Sequence, residues 1–157
     1  MSFTVENIRQ IKVPVTDLQY SVDWYRQLLG LELHREFVEG GRLVGAVLRH
    51  QTGGFVVSLR LRAAVPGQPS FPGFDLFSLG VSSLGDLQQL IEHADTLGAN
   101  HGVVVDRGPD GYHLDIYDPD HTAVRFLTPT AESAPDFAGV VFDENHLASF
   151  YDKPRLR

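Results

Sequence analysis

A set of polar side chains interrupts otherwise apolar runs at every second residue: Gln10 and Lys12, Ser58 and Arg60, Ser78, His113 and Asp115, and Arg125. Alternate side chains of an extended strand face opposite sides, so if the intervening valines, leucines and isoleucines turn to a core, these residues share the other face, with Leu76 among them. Lys12, Arg60 and Arg125 offer fixed positive charge there. The two guanidinium forks match carboxylate or phosphate groups bidentately, which suits an anionic or a polar aromatic small molecule. His113 on the same face can act as a general base beside an arginine that stabilises developing negative charge. Blander assignments stand beside these: His113 as a hydrogen-bonded inner-sheet histidine, and Asp115 with Arg125 as an internal ion pair on successive strands.

Composition removes several other chemistries. Cysteine is absent, so disulfides, thiolate metal sites and a thiol nucleophile are excluded. The histidines His34, His50, His93, His101, His113, His121 and His146 include no His-x-His or His-x-x-x-His pair that would set two imidazoles on one metal. His93 falls on a solvated helix face, while His50, His101 and His121 read as loop residues. Lys plus Arg number 13 against 20 Asp plus Glu, a formal net charge of -7, which gives no basic field to recruit nucleic acid. No apolar run approaches the roughly 20 residues of a membrane helix, and the opening residues lack a basic-then-apolar signal pattern. The expectation is a cytoplasmic protein with no cofactor.

The elements that position these side chains form a repeat. Ile8 to Val15 alternates as a strand; Thr16 or Asp17 can cap a helix carrying Leu18, Val22, Tyr25, Leu28 and Leu29 on one face; and Gly30 stops it. Strands are expected at Leu31 to Phe37, Arg42 to Arg49 and Phe55 to Leu61, separated by Gly40-Gly41 and Gly53-Gly54. After the Pro/Gly-rich connector Ala64 to Gly73 the order restarts, with a strand at Phe74 to Val81, a helix at Asp86 to Leu97 ended by Gly98, and strands at Gly102 to Asp106, Tyr112 to Tyr117 and Thr122 to Leu127. Residues 1–157 thus read as one α+β domain: a first βαβββ module at 8–63, a connector at 64–73, a second module at 74–129, and a C-terminal extension at 130–157. An α+β sandwich without duplication is the alternative. In the extension Val140, Val141 and Phe142 make a short strand candidate ahead of Phe150-Tyr151. That segment can cover a sheet edge, cap a cavity, cross to a second subunit, or remain a partly ordered tail.

Ile11-Lys12-Val13-Pro14-Val15-Thr16-Asp17, followed by Ser21, Trp24-Tyr25 and Leu28-Leu29-Gly30-Leu31, resembles the opening of a module of the vicinal-oxygen-chelate superfamily, which holds glyoxalases, bleomycin-resistance proteins and extradiol dioxygenases. Tyr117-Asp118-Pro119-Asp120-His121 with Val124-Arg125-Phe126 is similar to the Asp-Pro-Asp-Gly turn and last strand that close the second module. The resemblance implies tandem βαβββ modules forming a U-shaped eight-stranded mixed sheet, with helices outside and a central cavity lined by the inward set above. It also implies a homodimer. Metal-using relatives place ligands at positions that correspond here to Gln10, Arg60, Leu76 and Arg125. A guanidinium has no free lone pair and leucine no donor atom, so the resemblance points to a kept fold with the metal centre lost. The expected function is therefore metal-independent binding of a small molecule, including drug sequestration. The alternative is a lyase, isomerase or dioxygenase of that superfamily, either metal-independent with His113 as base or metal-dependent with ligands elsewhere. Arg60 and Arg125, at equivalent last-strand positions, are expected to converge on one cavity.

Overall fold

A computed structural model describes residues 3–132, 136–145 and 147–156, which excludes His146. The first module runs β1 (Ile11–Val15), α1 (Leu18–Leu29), β2 (Glu32–Glu39), β3 (Arg42–Arg49) and β4 (Val56–Leu61). The second runs β5 (Asp75–Gly80), α2 (Leu84–Leu97), β6 (Val105–Asp106), β7 (Tyr112–Tyr117) and β8 (Ala123–Leu127). A hairpin of β9 (Gly139–Phe142) and β10 (Ala148–Tyr151) follows. The tandem βαβββ order is the expected one. Within this chain its eight strands are divided between two four-stranded sheets, β1-β4-β3-β2 and β5-β8-β7-β6, and the hairpin forms a third sheet by itself. In each module the first and last strands pair in parallel and the rest are antiparallel.

Both helices start and stop where their end residues require. Asp17 accepts the backbone N–H of Tyr20 at 2.9 Å, and Gly30 closes α1 in the left-handed region at φ 63°. Ser83 caps α2 by accepting the N–H of Asp86 at 3.2 Å, so α2 begins at Leu84, two residues before the expected Asp86, and Gly98 closes it at φ 64°. The strand at the start of the chain is shorter than the alternation suggests. Ile8 and Gln10 are exposed and unpaired, because β4 offers partners only from Val57, opposite Ile11. No helix of the described residues is long and apolar enough to cross a membrane.

One apolar core spans both modules. Val13, Val15, Val57 and Leu59 on the first sheet, Tyr25 and Leu28 on α1, Leu87 and Ala94 on α2, and Leu114, Ile116, Val124 and Phe126 on the second sheet belong to a single buried cluster. Its polar fastening is the turn at Asp118. The Asp118 carboxylate accepts the hydroxyl of the fully buried Tyr25 at 3.0 Å, and it also accepts the backbone N–H groups of Asp120 at 2.9 Å and Thr122 at 2.8 Å. Asp120 in turn takes the N–H of Thr16 at 2.9 Å and the Thr16 hydroxyl, which ties the entry of α1 to the second module. His121 stands in the left-handed region at φ 63°, a conformation that favours glycine. Burial pushes the Asp118 carboxyl up from the usual carboxylate range, and burial followed by the Asp118 charge pushes the Tyr25 phenol well above its ordinary value.

Replacing Tyr25 with Phe leaves one oxygen of a buried carboxylate without its donor, and is expected to cost about 1–3 kcal/mol in denaturant unfolding at neutral pH. The Tyr25 phenol is raised in the folded state, so its stabilisation is fully present below the ordinary tyrosine range near 10 and is lost as pH rises through the folded value. Wild-type stability should therefore fall more steeply above pH 10 than that of Tyr25→Phe. Parallel alkaline limbs would remove the buried phenol from the account.

Candidate functional site

Of the residues named from alternation, Leu76 packs on the core side and Gln10 lies just before β1; the others form two groups, one on each sheet. Gln10, Lys12, Ser58 and Arg60 line a pocket of about 450 Å³ on the first sheet, together with Phe37 and Glu39. His113 and Arg125 line another of about 840 Å³ on the second sheet. The expectation that Arg60 and Arg125 converge on one cavity is thus not met within one chain. The reason lies in the packing: the modules meet through α1, α2 and the core-side faces of both sheets, so their outer faces point into separate spaces.

Each guanidinium is already partnered. One terminal nitrogen of Arg60 reaches both oxygens of Glu39 at 2.8 Å, from the neighbouring end of β2. Gly45 lies opposite Arg60 in the β3–β4 register, where a Cβ would come 3.0 Å from the backbone carbonyl oxygen of Leu59. Arg125 is held more fully. Its Nε and Nη2 donate to the two oxygens of Asp115 at 2.8 Å each, and its Nη1 lies 2.6 Å from Asp75. The Asp115 hydrogen bond, ahead of the charge of both aspartates, pushes the Arg125 guanidinium further above its usual value. The ion-pair assignment for Asp115 and Arg125 is therefore the one observed, with a second carboxylate added.

Asp75 was not among the residues singled out from sequence, and Leu76 was. The β5–β8 register slips between Asp75 and Phe77, so two residues of β5 advance against one of β8. Counting back along an unbroken strand selects Leu76. The bulge instead brings Asp75 onto the Arg125 face, while Leu76 packs half-buried against the core. Ser78 does share a register position with Arg125 and is exposed. Ser58 is buried, and Lys12 opposite it is exposed.

His113 is half-buried on the second face, and its Nδ1 is buried without a hydrogen-bond partner. Burial, then the Arg125 charge, holds its imidazole below the usual histidine value, and Asp115 and Asp75 oppose that shift. That shift favours the neutral imidazole, which can accept either a proton or a hydrogen bond. Of the other histidines, His93 places Nε2 2.9 Å from the carbonyl oxygen of Gln27, His101 contacts Gly102 and Asp95, and His50 stacks on Phe55. Among the described residues no three His, Asp or Glu side chains come together as a metal site.

The β9–β10 hairpin of the extension forms a wall of the second pocket. Phe142, Leu147, Ala148 and Phe150 face Val105, Arg107, Gly108, His113 and Arg125 across it. The apolar triplet Val140-Val141-Phe142 foreshadowed β9; β10 carried no comparable signal, since its alternation spans only Ala148 to Tyr151.

A family model described as the Glyoxalase/Bleomycin resistance protein/Dioxygenase superfamily matches residues 7–126. Among solved structures, a glyoxylase/bleomycin resistance protein/dioxygenase domain from Frankia sp. EAN1pec superposes with a TM-score of 0.68 at 24% identity, covering 83% of this chain and 96% of that one. TnmS3, an antibiotic-binding protein from Streptomyces sp. CB03234, gives 0.66 at 17% identity over 82% and 100% of the two chains. The fosfomycin resistance protein FosX from Listeria monocytogenes, complexed with Mn(II) and sulfate, gives 0.62 at 14% identity over 82% and 94%. At these identities the likeness is one of fold. No curated protein matches the sequence at a significant level.

The electrostatics of the second face make opposite forecasts for two substitutions. Arg125→Gln removes a charge that disfavours the imidazolium, so the His113 pKa should rise, whereas Asp75→Asn should lower it; imidazole proton shifts followed through a pH titration read both. The arginine variant should also lose about 1–3 kcal/mol by stranding two carboxylates. Equal His113 titration in all three proteins would mean that the imidazole does not sense this cluster. Because the folded His113 value is depressed, its stabilisation is present above the ordinary histidine range and is lost as pH falls through the folded value.

Proposed function

The chain belongs to the Glyoxalase/Bleomycin resistance protein/Dioxygenase superfamily, and on that premise we propose that it binds a small organic molecule against its sheet faces without a divalent cation. The observation that carries this reading is the state of Arg125. It occupies a position at which metal-using relatives place a ligand, and it draws Asp75 and Asp115, the two carboxylates nearest to it, into its own hydrogen bonds. A guanidinium donates no lone pair, and carboxylates committed to it are poor ligands for a second cation. Arg60, at the matching position of the first module, is committed to Glu39 in the same way. The residues present do not fit a resident divalent metal.

A second reading is supported by His113. A half-buried imidazole on a pocket wall, held towards its neutral form, is suited to take a proton from a bound molecule, which would make the protein a metal-independent enzyme. Recovery of a bound compound chemically unchanged after incubation with both wild type and His113→Gln favours binding alone; conversion by wild type only favours the enzyme. A cytoplasmic location belongs to the same proposal.

We also infer a homodimer. All eight residues of β2 are exposed at the sheet edge, with Leu33, Phe37 and Val38 among its charged residues, and the unpaired backbone groups of that edge offer a second copy a strand to pair with. The first-module pocket beside it lies open, and a second copy supplies a face to close it.

The purified protein is expected to carry less than a tenth of an equivalent of any transition metal after dialysis, by elemental analysis, and to release a small organic molecule in native mass spectrometry. One equivalent of Mn, Fe, Ni or Zn overturns the proposal. Light scattering at tens of micromolar should give twice the chain mass, and a monomer there removes the dimer.

A further inference from the structure

The C-terminal hairpin presents one apolar face. In the antiparallel β9–β10 register Ala148 lies opposite Phe142 and Phe150 opposite Val140, so these four share a side while Val141, Ser149 and Tyr151 share the other. Phe142, Ala148 and Phe150 line the second-module pocket, as does Leu147 from the connecting turn. Phe142 is 57% exposed and Leu147 67% exposed, so this wall keeps large apolar groups in contact with water.

An isolated two-stranded hairpin is marginal in water, and this one is braced within its own segment and touches the second module at Gly108. Phe150 packs against Phe137 with ring centroids 4.8 Å apart, and it lies close enough to Gly108 that a Cβ there would be 3.9 Å from the ring. Asp143 closes the turn by accepting the N–H groups of Asn145 and Leu147 at 2.8 Å each. Across the pocket stand Val105, His113 and Arg125, with the buried Nδ1 of His113 lacking a partner.

The charge around the pocket argues against an anion. Arg125 is held by Asp75 and Asp115, Arg107 pairs with Asp110, and Asp106 adds a further carboxylate. Only Asp106 of these four carboxylates lines the pocket, beside Arg107 and Arg125, but the other three already match both guanidinium charges, so the cluster as a whole carries more negative than positive charge. The apolar hairpin face supplies a surface for ring stacking, and its aromatic faces favour a neutral or cationic group over an anion.

We propose that the β9–β10 hairpin is the second wall of a binding pocket for a flat aromatic molecule that is uncharged or cationic, with His113 as its polar anchor and Phe142 and Phe150 as its stacking surface. The proposal rests on the reading of the chain as a small-molecule binder and names the ligand class and the wall that selects it. It replaces the anionic guest suggested by counting arginines along the sequence.

Three probes that share one bicyclic ring and differ in charge test it on the full chain: 2-naphthol, 2-naphthoate and 2-naphthylmethylammonium, titrated by ligand fluorescence and NMR. The naphthol and the ammonium are expected to bind, and the carboxylate at least tenfold more weakly. Phe142→Ala and Phe150→Ala should each weaken naphthol binding about tenfold, with Val141→Ala on the opposite hairpin face leaving it unchanged. Nuclear Overhauser contacts from the naphthol ring to the Phe142 and Phe150 rings in wild type keep the test decisive should either alanine variant unfold the hairpin. Preference for 2-naphthoate, absence of those contacts, or failure of all three probes to bind at millimolar concentration overturns the pocket. Naphthol binding that is indifferent to both phenylalanines overturns the hairpin wall alone and leaves the small-molecule reading to the co-purified compound.

Discussion

A single carboxylate, buried where the two modules meet, holds the architecture in register. Asp118 closes its own turn through the amides of Asp120 and Thr122 and reaches across the core to the Tyr25 hydroxyl. A charge taken out of water needs several donors, and removing any one leaves a costly orphan. That requirement fixes where α1 lies relative to the second sheet, because Tyr25 sits mid-helix and its hydroxyl must arrive at one point. Asp120 repeats the constraint from outside by capturing Thr16 just before the helix begins. With α1 pinned at both places, the shared apolar cluster of Tyr25, Leu28, Leu87, Leu114 and Phe126 has one way to close. The polar faces of the two sheets are then the ones left outward.

The two modules answer the same electrostatic problem differently. Each has an arginine in its last strand, on the face away from the core, and an unpaired guanidinium in a half-buried pocket is costly. The first module recruits Glu39 from its edge strand; the second surrounds Arg125 with Asp115 from the adjacent strand and Asp75 from a bulge. These pairings turn groups that read as anion receptors into internal structure. What the second face leaves unpaired is apolar surface and one half-buried imidazole, a different chemistry from the one that residue types alone suggest.

Much of this was legible before the fold was known, because the signals were local. Gly30 and Gly98 end helices by adopting a conformation other residues resist, Asp17 caps by its short carboxylate, and strict alternation in β4, β7 and β8 sorts core from pocket. The module repeat followed from their order. What escaped was set at a distance. No residue type announces the slip after Asp75, which depends on how β8 pairs, and so Leu76 was placed where Asp75 belongs. Glu39 gives no hint of Arg60, twenty-one positions away, until β2 and β4 lie on the same sheet. The division of the eight strands into separate sheets, and with it the separation of Arg60 from Arg125, depends on how the helices pack between modules, which alternation does not encode.

The long reach from Tyr25 to Asp118 also bears on how the chain is made. Ninety-three residues separate the two, so during synthesis the first module leaves the ribosome well before its tyrosine has anything to donate to. Its β1 waits likewise for β4, since a parallel pair cannot form until the intervening helix and hairpin have been translated. The nascent half therefore carries an unfinished apolar face, made of α1 and the inner side of its sheet, for as long as the second half takes to appear. Late, non-local closure of this kind slows folding and leaves a window in which that face is open to chaperones or to another nascent copy. A tandem duplication sealed by one distant carboxylate thus couples the maturation of both halves to the arrival of a single turn near the end of the second.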